Sequence, residues 1–354
     1  MSNKLTLRRG SFFGIGNPLL DVSKEVDEEF LEKYKLKEGE AILAREEHAP
    51  LFRVLNKQGR LAIGGSSQNI MRTIVWILEQ KLFASYMGCV GDDFEKQNLM
   101  ELAQSAGLHV VYQTHPKLTT GRCAVLINTR DQHRTMVASQ GASEGFTADF
   151  LDDAENWLKV EQAQILCSEG FFLVSCREAF MRVCEHAFKT GKIFTMTLSA
   201  KFICDNPIGV RLLSALPYAD IVFGYEDEAR ILAKTQLNIQ SNSLHNIIEA
   251  IRDTPKWNKD RPRIVVVSKI PERTTVATRD GIKEYRWKKP SKIVDTHGCG
   301  DALAGGFLAY FALGKTIDQC INAALYCAYE NLQQLGCQFP DKPSYNEQIS
   351  YEKK

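Results

Sequence analysis

An alternation restricts the fold most. From about residue 69 onward, stretches with helical apolar spacing take turns with short β-branched runs. Residues 67–80 predict a helix with Ile70, Ile74, Ile77 and Leu78 on one face; a strand over 83–90, a helix over 94–106 and a strand over 109–113 follow. Further on, the pattern predicts strands over 163–167, 192–198, 220–223 and 263–268, and helices over 177–189, 226–234 and 244–252. Two last helices are expected near 299–313 and 316–336. Parallel strands need crossovers of this kind, which leave helices on both faces. The expectation is an α/β protein with a doubly wound, mostly parallel sheet.

Two stretches break the rhythm. Residues 22–64 hold a helix-like piece (28–34) and strand-like pieces at 41–44 and 60–63. Residues 119–139 read as a hairpin, 121–128 and 133–139 flanking the turn 129–132. Strands without crossover helices sit poorly inside a doubly wound sheet. They either pair with each other as a small β-rich lid over the strand ends or extend the sheet edge. With no repeat or Pro-rich linker, a lid would be an excursion from one core. The expected division is a large unit of 1–21, 65–118 and 140–345, a lid of 22–64 with 119–139, and a C-terminal tail of 346–354.

Composition excludes several classes. The chain has 354 residues, 44% hydrophobic and 25% charged, as ordinary globular proteins do. Lys and Arg total 44 against 43 acids, which leaves no broad basic footprint for nucleic acid. The cluster Lys256, Lys259, Arg261 and Arg263 reads as a solvated loop before a strand. No apolar run approaches the roughly 18 residues that span a bilayer, so no membrane partner is expected. The start MSNKLTLRRG lacks the apolar stretch of a signal peptide. Ten cysteines lie on apolar patterns with no CxxC spacing, which fits buried reduced thiols in an intracellular compartment. Seven histidines include no HxxxH pair, so no zinc site is expected.

Chemistry concentrates in Asp295-Thr-His-Gly-Cys-Gly-Asp301 and the apolar helix after it. Strand-like residues 292–294 precede it, giving the order strand, glycine turn, helix start. Gly298 and Gly300 allow close backbone approach. The first N–H groups of a helix have no internal partner and sit at its positive end, so they can cradle an anion. Asp301 has two readings. An acid there caps the helix for about 0.3–1 kcal/mol. Beside an anion cradle it can also take a proton from an attacking hydroxyl.

At this point the chain resembles a known family. DTHGCGDALAGGF is similar to the DTxGAGD signature of the ribokinase-like (PfkB) carbohydrate and nucleoside kinases. Three further stretches resemble the adenosine kinases among them: Gly16-Asn-Pro-Leu-Leu-Asp21, Gly64-Gly-Ser-Ser-Gln-Asn69 and Gly336-Cys-Gln-Phe-Pro-Asp-Lys-Pro343. The likeness runs from about residue 12 to 345. It implies the ribokinase-like fold with a small lid, and ATP- and Mg²⁺-dependent phosphorylation of the adenosine 5′-hydroxyl. It implies a monomer whose partners are adenosine and ATP, placed in the cytoplasm or also in the nucleus. By resemblance, Asp301 is the catalytic base, Gly298, Cys299 and Gly300 form the anion hole, and Arg134 reaches the transferred phosphoryl group. Asp21 holds the ribose diol, Gly64, Gly65 and Asn69 line the ribose site, Asn17 lines the same pocket, and Phe171 stacks on adenine. Glu228 orders Mg²⁺ through water.

Four positions depart from the family pattern. Tyr225 stands for the asparagine of NxxE, His297 for the asparagine of DTNGAGD, Thr197 for that of NLSAPF, and Ile270 for the glycine of a TxG turn. All four are expected on the ATP and Mg²⁺ side; Cys299 for alanine is a milder change. Beside the active kinase, two alternatives therefore stand: an impaired paralogue that binds adenosine, and another PfkB-type nucleoside or sugar kinase.

Overall fold

The structure, a computed structural model, describes residues 4–130, 134–288 and 290–347. Its strands are β1 (Phe12–Ile15), β2 (Leu19–Val26), β3 (Ala41–Leu43), β4 (Arg60–Gly64), β5 (Ala84–Gly91), β6 (His109–His115), β7 (Arg122–Asn128) and β8 (Arg134–Ser139). They continue as β9 (Ile165–Glu169), β10 (Ile193–Thr197), β11 (Ile221–Tyr225), β12 (Ile264–Lys269), β13 (Arg273–Thr278) and β14 (Gly281–Arg286). Among the described residues, nine of them form one sheet in the order β14-β13-β12-β11-β10-β9-β1-β5-β6. From β12 to β6 every pairing is parallel; β13 and β14 close one edge antiparallel.

Alternation along each central strand divides two core layers. Phe13, Ile15, Leu166 and Val222 point to one face, where helices Arg177–Lys189, Glu226–Gln236 and Leu244–Arg252 pack. Phe12, Ile165, Cys167, Ile221 and Phe223 point to the other, against Ser66–Leu78, Cys299–Ala312 and Ile317–Asn331. The expected doubly wound sheet, covered on both faces, is thus present.

The rhythm-breaking stretches form a second, five-stranded sheet in the order β3-β8-β7-β2-β4. Leu20, Val22, Ala124, Leu126 and Val137 bury one face against Leu51, Leu55, Val90 and Leu99. Asp21, between Leu20 and Val22 and paired with Cys123, therefore lies on the opposite face. This small sheet is the β-rich lid, and the edge-extension alternative is excluded. Of the turn expected over 129–132, residues 131–133 lie outside the described residues.

Some expectations need correction. Residues 292–294 join no strand; the β13–β14 hairpin ends the sheet first, and Val294 N–H bonds the Leu332 carbonyl (2.7 Å). The last helix stops at Asn331, five residues short of expectation, where Asn331 Nδ2 turns to the Gly336 carbonyl (2.7 Å). The basic cluster is not a solvated loop. Arg263 is 2% exposed and donates to the carbonyls of Leu216, Ala219, Ile251, Thr254 and Pro255. Lys256 and Arg261 neutralise buried Asp220 at 2.6 and 2.9 Å. The described cysteines are all free, and nine of the ten are buried. Among the described residues, no helix is long and apolar enough to cross a membrane.

Candidate active site

The open face of the small sheet and the strand ends of the large one enclose a cavity of about 1190 Å³. Asn17, Asp21, Gly65, Asn69, Phe171, Glu228, Gly298, Gly300 and Asp301 all line it. Sequence spacing alone could not have promised this convergence. Gly64 ends β4 paired with Leu19, beside Asp21. The Arg134 side chain lies outside the described residues.

The floor is the start of helix Cys299–Ala312. Gly298 adopts φ +76°, and a Cβ there would stand 2.4 Å from that of Cys337, so the turn requires glycine. Buried Asp295 shapes the approach: Oδ1 accepts the His297 N–H and Oδ2 the Gly336 N–H, both at 2.7 Å. The Cys299 N–H is not free for an anion. It is engaged by the Thr296 carbonyl at 3.3 Å, and its thiol is buried.

Asp301 sits in the first turn of that helix. Helix Ser66–Leu78 brings two donors to it, three residues apart and hence on one face. Ser66 Oγ donates to Oδ1 (2.6 Å) and Asn69 Nδ2 to Oδ2 (3.0 Å). Burial pushes the Asp301 carboxyl above the ordinary carboxylate range, while these donors and His297 pull it back. Asn69 thus serves the carboxylate, and Ser66, to which the sequence assigned no role, joins the site.

Asp21 is 2% exposed, and His297 Nε2 lies 3.1 Å from its Oδ2. Burial works against the imidazolium, but Asp21, then Asp295 and Asp301, outweigh it and push His297 up to about 9. His297 was expected on the nucleotide side. Its side chain instead meets the predicted ribose carboxylate, so the departures are not all on one side.

Glu169, at the end of β9, was not anticipated. It accepts the Asn17 N–H (2.9 Å), the Ser67 N–H (2.5 Å) and the Ser67 hydroxyl (2.7 Å), yet burial pushes it up to about 7. It ties the loop after β1 to the start of helix Ser66–Leu78. Asn17 Nδ2 donates to Ser175 Oγ (2.8 Å), while its buried Oδ1 has no partner among the described residues.

On the opposite flank, Glu228 is 4% exposed and accepts the Tyr225 N–H at 2.8 Å; burial pushes it up to about 7. Thr197 Oγ1 and Ser199 Oγ pair at 3.0 Å, and Lys201 bridges to Asp227 at 2.6 Å. Phe171 packs beside Phe202, ring centroids 5.9 Å apart. Ile270 is packed against the apolar core.

A glycine turn, a helix start with a carboxylate in its first turn, and a small sheet opposite face one cavity. The model of the pfkB family of carbohydrate kinases matches residues 29–344, and the chain belongs to that family, whose members use ATP. Within it the chain stands with the adenosine kinases. It is 35% identical over 341 residues to adenosine kinase 1 of Arabidopsis thaliana, covering 95% of this chain and 98% of that one. It is 35% identical over 329 residues to the adenosine kinase of Dictyostelium discoideum, covering 92% and 95%. The structure of Anopheles gambiae adenosine kinase in complex with P1,P4-di(adenosine-5) tetraphosphate superposes with a TM-score of 0.88 at 36% identity, covering 96% of this chain and all of that one. Schistosoma mansoni adenosine kinase in complex with 2-fluoroadenosine gives 0.87 at 28% identity, again covering 96% of this chain and 100% of that one.

Proposed function

We propose that this protein transfers the γ-phosphoryl group of ATP to the 5′-hydroxyl of adenosine, giving AMP. One observation carries the reading: the Asp301 carboxylate, held by Ser66 and Asn69 beside the glycine turn, faces the same cavity as Asp21 and Phe171. Asp21 accepts hydrogen bonds from the ribose diol, and Phe171 stacks on the base. Asp301 removes the 5′-proton as the oxygen attacks. The Gly298 amide grips the phosphoryl oxygens, and Arg134 adds charge. Residues 22–64 with 119–139 act as the lid on the unit of 1–21, 65–118 and 140–345, and closure excludes water from the transfer.

Mg²⁺ fits one place on donor chemistry. Glu228 is a buried carboxylate facing the cavity, with Oε2 taken by the Tyr225 N–H and no partner on Oε1 among the described residues. Such a group would hold Mg²⁺ through a water, since that ion keeps several waters and binds few carboxylates. When bound, the ion neutralises charge on the phosphates.

The departures at Thr197, Tyr225 and Ile270 favour a second reading, a paralogue that binds adenosine with little turnover. AMP formation from adenosine and Mg·ATP, measured beside adenosine binding by calorimetry, separates the two; binding without AMP supports the second. In the kinase reading, Asp301→Asn lowers turnover by about 10²-fold or more and leaves adenosine affinity nearly unchanged. Retained turnover removes Asp301 from the mechanism.

A further inference from the structure

The NxxE position holds a tyrosine, and its side chain reaches far beyond where an asparagine would end. Tyr225 closes β11, and its main-chain N–H is fixed on Glu228 Oε2 at 2.8 Å. From there the phenol crosses the cleft to the amino end of helix Cys299–Ala312. A Cβ built on Gly300 would stand 2.7 Å from the Tyr225 hydroxyl oxygen and 3.1 Å from Cζ, so the ring lies directly on the glycine backbone. The Gly300 N–H faces that oxygen. The ring lines the cavity together with Gly298, Asp301 and Glu228.

A hydroxyl has one proton and two lone pairs. Here the amide addresses a lone pair, and among the described residues no acceptor takes the phenol proton. The Asp301 carboxylate is already served by Ser66 and Asn69. The proton is left for a group that enters the cavity. With the Cys299 N–H turned to Thr296 and the Gly300 N–H to the Tyr225 hydroxyl, two of the three amides expected in the cradle are already engaged.

We propose that Tyr225 is a catalytic hydrogen-bond donor: its O–H extends the Gly300 amide into the cleft and binds an oxygen of the phosphoryl group in transfer. The proposal rests on the kinase reading above. Donating through a hydroxyl that itself accepts from an amide strengthens the outgoing bond. The donor sits where charge spreads over the equatorial oxygens in the transition state, which is where a preorganised donor gains most.

The test is steady-state AMP formation by the full chain and its Tyr225→Phe variant, with adenosine and Mg·ATP varied in turn. Phenylalanine keeps the ring and its packing and removes only the donor. The expected result is a fall in kcat of about 10- to 100-fold, an adenosine KM within about twofold of the parent, and an unchanged melting temperature. A variant that turns over as fast as the parent overturns the proposal, because the ring then serves packing alone. A faster variant also overturns it, because the hydroxyl then competes with the phosphoryl group for the Gly300 amide. A parent that makes no AMP brings down the kinase reading itself, a result distinct from either.

Discussion

Ser66→Ala tests the arrangement around Asp301 most directly. The bond from Ser66 Oγ to Asp301 Oδ1 measures 2.6 Å, within the range for a hydroxyl on an ionised carboxylate. Hydrogen bonds to charged groups contribute about 1.5–3 kcal/mol. At about 1.4 kcal/mol per factor of ten, losing this one shifts the proton equilibrium of the carboxyl about 10- to 100-fold toward the neutral acid. The direction follows from the site. Burial already pushes Asp301 up, and Ser66 is the foremost of the groups that pull it down.

A general base works only when deprotonated, so activity falls as pH drops through its folded-state pKa. The acid limb of kcat should therefore move toward neutral pH in Ser66→Ala, with turnover on that limb reduced about tenfold or more. Stability should barely change: the helix cap is Gly65, Ser66 stands inside the first turn, and alanine favours helix. The assay is kcat for AMP formation across about pH 5 to 9, with a thermal melt as control. Superimposable profiles would falsify the idea that Ser66 holds the base in its charged form.

Two other outcomes follow from the same region. Gly298→Ala forces a side chain onto a backbone at φ +76° and brings Cβ within 2.9 Å of the Cys337 Cα, so it should cost about 1–3 kcal/mol or more, read as a lower unfolding midpoint in urea; an unchanged midpoint contradicts the tight turn. His297 is pushed up to about 9 from an ordinary 6.5, so its pairing with Asp21 stabilises fully below about pH 6.5 and is lost as pH rises through 9; the stability advantage of the parent over His297→Asn should be large at pH 6.5 and gone above 9, and an advantage independent of pH rules out a charged pair.

The sheet was legible because each parallel crossover writes a separate helical period into the chain. Residues 177–189 and 244–252 were predicted with the observed bounds Arg177–Lys189 and Leu244–Arg252. The β13–β14 hairpin was missed although Asp280-Gly281 stands between two runs that alternate, a local signal that the helical rhythm overshadowed. Residues 292–294 misled for the opposite reason. Ile293 and Val294 are β-branched, but tertiary contact with Leu332 decides their backbone. Within the site, Asp21 and Asp301 were readable from motif and type. Ser66 was not, because its partner lies 235 residues away; Glu169 binds residues 152 and 102 positions distant, and no local pattern marks such a clamp. His297 looked like a nucleotide-side residue because its motif neighbours are, yet its ring reaches a strand 276 positions away.

Six carboxylates line the cavity: Asp21, Glu38, Glu169, Glu228, Asp295 and Asp301. Uncompensated they would repel a polyanionic donor; Glu38 accepts from Asn128, Asp295 accepts two backbone amides, and the other four are answered one by one. The structure answers differently at each. Asp21 has an imidazolium at 3.1 Å; Asp301 has two donors and no counter-ion within bonding distance among the described residues; Glu169 is satisfied by three donors from Asn17 and Ser67. Glu228 has no partner on Oε1 among the described residues, and burial lifts it to about 7, so a positive charge entering beside it would favour its ionised form. In the proposed reaction Glu228 would hold the donor's metal, while Asp21, Glu169 and Asp301, which the protein has already paired or fixed, would face the nucleoside.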